Sequence, residues 1–243
     1  MKTLMLTATL IALSLLPTLV LAAVPAGPPV FSNPLDITNA YQPFQPGGVT
    51  IFSGHDGGDR TVIADLYLRE TRTFMVSGVP VEARILQETE FGDGELSEIS
   101  RNFFAQADDG SVYYFGEIVD EYEGGVVVGH DGSWLVGGAT DPNDPGITAD
   151  APAPTLFMPA NPELGDVFKQ EDLAPVVDET DTVKTAGTRI SVPVGHLTSC
   201  IRIAETTVLG DPPEFKIYCP GAGAVTGRTR GEGFVMTAST LVP

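Results

Sequence analysis

Between Asn102 and Trp134, apolar and polar side chains alternate over three runs that are separated by acid-glycine turns at Asp109-Gly110, Glu123-Gly124-Gly125 and Asp131-Gly132. A period of two belongs to extended chain, whose successive side chains point to opposite faces. Acid-glycine pairs between such runs mark hairpins, because glycine accepts the positive φ of a tight turn. The stretch therefore reads as a β-meander. Within Ser111–Val119 the alternation puts Val112, Tyr114, Gly116 and Ile118 on one face, and Tyr113, Phe115, Glu117 and Val119 on the other. Both faces are mostly apolar, so this sheet is expected to be covered on both sides, as the wall of a barrel or sandwich is.

The same period recurs along the chain. Thr61–Arg69 places Val62, Ala64, Leu66 and Leu68 opposite Ile63, Asp65 and Tyr67, and Val81–Glu88 places Val81, Ala83 and Ile85 opposite Glu82, Arg84 and Glu88. No window sustains a helical period. The second half resembles the first at an offset of about 115 positions, with Phe52 over Phe168, Ile85 over Ile201, and Phe104-Ala105 over Tyr218-Cys219. The expected fold is all-β: antiparallel meanders in two similar halves, about 49–137 and 155–243, forming one flattened barrel or sandwich over 49–243. Residues 23–48, with Pro25, Pro28, Pro29, Pro34, Pro43 and Pro46, read as an extended lead-in, and Gly137–Thr155 as an exposed connecting loop.

Residues 1–22 have an early cation, Lys2, an apolar core around Leu10–Leu16 and a small-residue end, which describes a secretory signal peptide. Pro17 interrupts the run, and no cysteine follows it to carry a lipid. The expectation is a secreted or periplasmic protein with no stable membrane insertion after cleavage. The chain has 32 acids against 13 bases, and losing Lys2 leaves −20. Such a charge disfavours nucleic acid and anionic membrane surfaces as partners. Cys200 and Cys219, the two cysteines, suggest one disulfide in an oxidising compartment. Their midpoint falls between Leu209 and Gly210, about two residues before the apparent turn centre in Gly210-Asp211-Pro212-Pro213, so a bulge or diagonal pairing is expected between their strands.

Five segments then carry a resemblance: Asn39–Gly47 (NAYQPFQPG), Val112–Glu117 (VYYFGE), His130–Trp134 (HDGSW), Met158–Asp166 (MPANPELGD) and Tyr218–Gly223 (YCPGAG). Together they resemble a family of secreted bacterial β-rich proteins, whose pattern runs roughly N-P-Y-F-P-L-x-P-G, W-Y-F-G-E, E-G-S-W, M-P-A-x-P-x-V-G-D and Y-Y-A-P-G-V-G. The resemblance covers nearly the whole mature chain. It implies a β fold and assigns no catalytic residue. This chain departs from the pattern at Cys219, where the family has alanine, and in a longer acidic loop before Met158.

No nucleophile elbow, phosphate loop, Cys/His cluster or His-Glu-x-x-His motif is present. His55, His130 and His196 all sit beside turn residues, and His130 could be brought near Glu117 or Glu171 by a neighbouring hairpin. Glu117 shares its predicted face with Tyr113 and Phe115, where burial could raise its pKa. Gln170-Glu171-Asp172 is similar, with Phe168 and Gln170 on one side and Lys169 and Glu171 on the other. No metal site or cofactor is expected beyond weak calcium binding at acidic turns. Asp141-Pro142-Asn143-Asp144-Pro145-Gly146 departs from an EF-hand at its fifth position and lacks the twelfth-position acid. His55-Asp56-Gly57-Gly58-Asp59 is equally a plain turn.

Three functional classes follow. A non-catalytic binding module would hold a small apolar or amphipathic molecule, or a sugar, against Tyr113, Phe115, Trp134 and Phe168. A hydrolase or lyase of extracellular polymers would use Glu117 or Glu171 with His130 and would need two convergent carboxylates or a His-carboxylate pair. A structural envelope protein would show neither a lined pocket nor such a pair.

Overall fold

The computed structural model describes residues 24–146 and 148–242, so the signal peptide expected over 1–22 lies outside the described residues. Among the described residues there is no helix, and fifteen strands form a single sheet. The first arc is a meander of β1 (Val49–Asp56), β2 (Asp59–Val76), β3 (Val79–Gly92), β4 (Glu95–Gln106) and β5 (Val112–Glu123). Four short strands follow: β6 (Val126–Gly129), β7 (Trp134–Val136), β8 (Ala149–Ala151) and β9 (Thr155–Met158). The second arc is a meander of β10 (Val167–Leu173), β11 (Val177–Val192), β12 (Gly195–Thr206), β13 (Glu214–Cys219), β14 (Gly223–Arg228) and β15 (Glu232–Ser239).

The arcs meet at both ends, which nearly closes the sheet into a barrel. On one side β15 pairs antiparallel with β1. On the other, β9 pairs with β5 and lies against β10, where the Thr155 hydroxyl donates to the Gln170 carbonyl. Residues matched by the 115-residue offset fall on corresponding strands: Phe52 and Phe168 on the first of each arc, Ile85 and Ile201 on the third, Phe104 and Tyr218 on the fourth. The segment read as a plain connecting loop contains β8, which adds one parallel pairing to β7.

Hairpin chemistry explains the register. Glu123 pairs with Val126 across Gly124 and Gly125, which take φ of 57° and 79°, as a two-residue type I′ turn requires. At Gly116 the register of β4 and β5 slips by one residue, from Phe104 opposite Tyr114 to Asn102 opposite Glu117. Gly116 has φ of 110°, and a Cβ there would stand 2.1 Å from the Trp134 carbonyl oxygen, so only glycine lets β7 approach this bulge.

Apolar side chains cover both faces of the first arc. Inside, Tyr114 stacks on Phe104 with centroids 4.9 Å apart and meets the Trp134 ring edge-on at 5.2 Å. Outside, Phe115 packs on Phe74, and the lead-in lays Phe31 over Tyr113 and Phe115. Each such aromatic pair adds roughly 0.5–1.5 kcal/mol beyond its buried area. The lead-in has no strand of its own but is pinned along its length. The Thr38 and Asn39 amides donate to Gln106 Oε1 at 2.8 and 2.9 Å, Arg84 donates to the Leu35 carbonyl at 3.0 Å, and Asn39 Nδ2 reaches the carbonyls of Gly110 and Pro159 at 3.0 Å. Gly221 donates to the Ala40 carbonyl at 2.7 Å, so segments 39–47, 158–166 and 218–223 come together in space.

Cys200 and Cys219 form a disulfide. The bulge expected between their strands does not occur. Pairs run unbroken from Glu205–Glu214 to Ile201–Tyr218, and Cys200–Cys219 is the next step on that register. The loop between β12 and β13, residues 207–213, is centred on Gly210, so the turn lies further upstream than the Pro212-Pro213 pair suggests. The Cα separation of 4.2 Å is close to that of a directly opposed, non-hydrogen-bonded antiparallel pair. Closing a loop of this length stabilises by roughly 3 kcal/mol in the chain-entropy account.

Candidate functional site

The inner face of the barrel is set by strand parity. Ile63, Asp65 and Tyr67 face inward on β2, Leu86, Glu88 and Glu90 on β3, Phe104 on β4 and Tyr114 on β5. On the opposite arc Glu214, Lys216 and Tyr218 do so on β13. These side chains line a cavity of about 510 Å³, which Gln42 of the lead-in also reaches.

Glu117 and Glu171 belong to this lining, and each is turned inward by a bulge. Without the extra residue at Gly116, position 117 would point out of the barrel. On β10 the register slips between Lys169 and Glu171, which brings Glu171 opposite Glu179 and leaves Gln170 as the extra residue. Bulges re-aim side chains and are frequent beside functional sites. The predicted grouping of Glu117 with Tyr113 and Phe115 is therefore corrected: Glu117 shares the inner face with Tyr114, while Tyr113 and Phe115 point outward beneath Phe31. Likewise Glu171 joins Gln170 inside, instead of lying with Lys169 on the other face.

The remaining predicted residues fall as follows. Trp134 is 1% exposed, and its indole N–H donates to Glu171 Oε1 at 3.0 Å, which orients that carboxylate. Phe168 is buried opposite Asp181. His130 stands apart from the cavity lining, with Nδ1 2.8 Å from the Val119 carbonyl and 2.9 Å from Asp120 Oδ1. His55 lies at the rim of the cavity, and His196 contacts Ser191 Oγ at 2.7 Å on the surface. In the Asp141–Gly146 loop, Asp144 is held bidentately by Arg72 at 2.6 and 2.7 Å.

The electrostatics of the interior are unusual for a sheet. Asp65 is directly opposite Glu88, Glu171 opposite Glu179, Asp181 opposite Glu205, and Glu205 opposite Glu214. Like charges placed so destabilise a sheet unless protons or cations intervene. Lys216 supplies one cation, with Nζ 2.6 Å from Glu205 Oε2 and 3.5 Å from Glu214 Oε2. Burial alone would lower its pKa, but Glu205 and Glu179 outweigh that and hold it well above the usual lysine range. Burial, reinforced by the Glu171 and Glu98 charges, pushes Glu117 well above the ordinary carboxylate range; its residual exposure is to the cavity. Burial also raises Glu171, against the lowering effect of the Trp134 hydrogen bond. Asp65 rises through burial and the neighbouring Glu88.

The sequence points to two of the inward carboxylates, Glu117 and Glu171, but not to Asp65, Glu88, Glu90, Glu179, Asp181, Glu205, Glu214 or the cation Lys216. The available signal was an acid in phase with apolar residues of the same face, as Asp65 is with Ile63 and Tyr67.

No family model matches the sequence, and no curated protein sequence matches it. Among solved structures, a protein of Bacteroides fragilis NCTC 9343, assigned as exported and as having a YmcC-like fold, aligns over 83% of this chain and 99% of its own, at 10% identity and a TM-score of 0.45. A protein of Parabacteroides distasonis ATCC 8503, assigned as a lipoprotein, aligns over the same 83% and 99%, at 11% identity and a TM-score of 0.42.

Proposed function

We propose that this chain is an exported, non-catalytic binding protein whose barrel interior holds a small polar molecule carrying a protonated amine. The observation that supports it is the surplus of carboxylates around the cavity over the single ammonium of Lys216. Lys216 displays the recognition in cis, since its ammonium sits between the carboxylates of Glu205 and Glu214. Asp65, Glu88, Glu117 and Glu171 form a comparable acidic surface across the cavity, with Tyr67, Tyr114 and Phe104 in the same lining. An apolar ligand on Tyr113 and Phe115 is disfavoured, because those rings are already covered by Phe31. The leader-like residues 1–22 support export.

Trp134, the single tryptophan, reports on the site through its bond to Glu171. Titration with spermidine or glucosamine at pH 7.5 is expected to shift its emission saturably, and glucose is not. The double variant Glu117→Gln/Glu171→Gln is expected to lose the response while keeping its far-ultraviolet β spectrum. No response to either amine from folded protein would sink the reading, and an equal response to glucose would replace amine with hydroxyl recognition.

A second reading, hydrolysis of a glycoside, is favoured by one feature: burial raises Glu117 well above the ordinary carboxylate range, while the Trp134 hydrogen bond orients Glu171 and opposes its rise, an asymmetry suited to general acid and base. Turnover of a nitrophenyl glycoside that disappears in Glu117→Gln would establish catalysis in place of binding.

A further inference from the structure

Asp181 stands at the centre of the closest carboxylate crowding in the wall. It faces Glu205 across β11 and β12, and Glu205 faces Glu214 across β12 and β13. One carboxylate oxygen from each of Glu179, Asp181 and Glu205 lies within 4.8 Å of the other two. Hydrogen bonding does not account for the arrangement. Both oxygens of Asp181, Oε1 of Glu179 and Oε1 of Glu205 are buried without a hydrogen-bond partner, and Asp181 is 0% exposed. A fifth oxygen comes from a neutral residue: Gln170, 7% exposed, has its side-chain oxygen buried and unpartnered. It lines the same cavity as Glu179, and as the extra residue of the β10 bulge it lies across from the step between Glu179 and Thr180.

Lys216 serves a different set of atoms. Its ammonium rests on the Oε2 atoms of Glu205 and Glu214 and leaves the Oε1 side of Glu205 free. Among the described residues no ammonium or guanidinium is within 4.0 Å of Asp181 or Glu179. A proton shared between two carboxylates would satisfy one pair of oxygens and strand the others. A metal ion satisfies several oxygens at once and converts mutual repulsion into shared coordination.

We propose that Glu179, Asp181 and Glu205 form a calcium site inside the barrel, with the Gln170 side-chain oxygen as a further donor. The donor set is all oxygen, with no imidazole or thiolate, which selects a hard cation. Donors within 4.8 Å of one another suit a single ion, since two ligands on opposite sides of calcium stand about twice a Ca–O distance of roughly 2.4 Å apart. Calcium also accepts irregular sets of six to eight oxygens, whereas magnesium demands a tighter octahedron near 2.1 Å. Side chains fixed to three rigid strands fit the more tolerant ion.

This site adjoins the amine surface, since Glu179 is paired with Glu171, but it uses other carboxylates and its failure is separately readable. The protein is dialysed against EDTA and then into chelator-free buffer at pH 7.5, and calcium uptake is measured by equilibrium dialysis alongside thermal unfolding. About one calcium per chain and a rise in Tm are expected, with a smaller rise at the same magnesium concentration. Asp181→Asn is expected to weaken calcium binding by more than about tenfold and to abolish the calcium-dependent rise, while its metal-free Tm equals or exceeds that of the parent. Glu205→Gln provides the same comparison if Asp181→Asn folds poorly. Glu117→Gln/Glu171→Gln is expected to retain calcium. Folded parent protein that takes up no calcium, or an Asp181→Asn variant whose Tm still rises with calcium, would overturn the proposal; the second result would mean adventitious surface binding.

Discussion

Glu117 and Glu171 come from different arcs of the wall, and each reaches the cavity because one residue before it is accommodated as a bulge. For Glu117, burial and the facing acids raise the pKa, so the folded state holds a proton that the unfolded chain has released. The stability linked to this group is therefore present below about pH 4.5 and is lost as pH rises toward the raised folded value. Each unit of elevation costs about 1.4 kcal/mol once the pH exceeds it. Glu117→Gln is accordingly expected to raise Tm at pH 8 and to change it little at pH 4.5, as differential scanning calorimetry would show. An equal effect at both pH values would mean that the substitution acts through packing rather than charge. Glu117 could be picked from the sequence because it sits among apolar neighbours, and Glu171 because it lies in a short polar run, Lys169–Asp172, bounded by Phe168 and Leu173. Their true partners could not, because a bulge reverses inside and outside after a single residue without altering composition. The directly opposed acids were hidden for another reason: opposition across strands depends on register, which local alternation does not specify.

Among the elements, β5 carries the most constraint. It pairs with β4, β6, β7 and β9, and Gly116 is where it yields to β7. Gly116→Ala would combine a positive φ that alanine resists with a Cβ driven into the Trp134 carbonyl. A loss of about 2–4 kcal/mol is expected in urea unfolding, together with a shift in Trp134 emission as β7 moves away from Glu171. A variant as stable as the parent would show that β7 can move without cost. The β5 meander was legible because its turns use glycines whose φ the hairpin geometry demands. The docking of the lead-in was less so: proline spacing announced an extended chain, but its pins are individual bonds such as Asn39 to Pro159, set by residues 120 positions apart.

At the scale of the whole molecule, the acid surplus should set the pH of greatest stability. Glu98 is raised to about 7, first by burial and then by Glu88, Glu90 and Glu121, from an ordinary 4.5. Its contribution is full below about 4.5 and lost by about 7. Asp144 is lowered to about 2 by Arg72, so its contribution is full above about 3.8 and lost as pH falls toward 2. Together they predict a maximum in mildly acidic solution, near pH 5, and a Tm that declines from there to pH 8. A Tm that climbs over that interval would contradict the burial of Glu98 among the other acids of the wall. The all-β class was legible from alternation alone. A barrel was among the expected forms, but which strands close it was not legible, because β1 and β15 pair residues as far apart as Thr50 and Ser239.

That closure has a consequence for how the molecule is made. Every neighbouring pair of long strands within an arc is a hairpin that can form from local sequence, whereas β1 and β15 bring together Thr50 and Ser239, whose hydroxyls meet at 2.9 Å across 189 residues. Contacts of such separation form late, after the loop-closure cost has been met. Until then β1 and β15 each present an unpaired strand edge to other chains. The vulnerable period in this protein's life is thus the interval before its last strand arrives, when one copy's β15 can dock on another copy's β1.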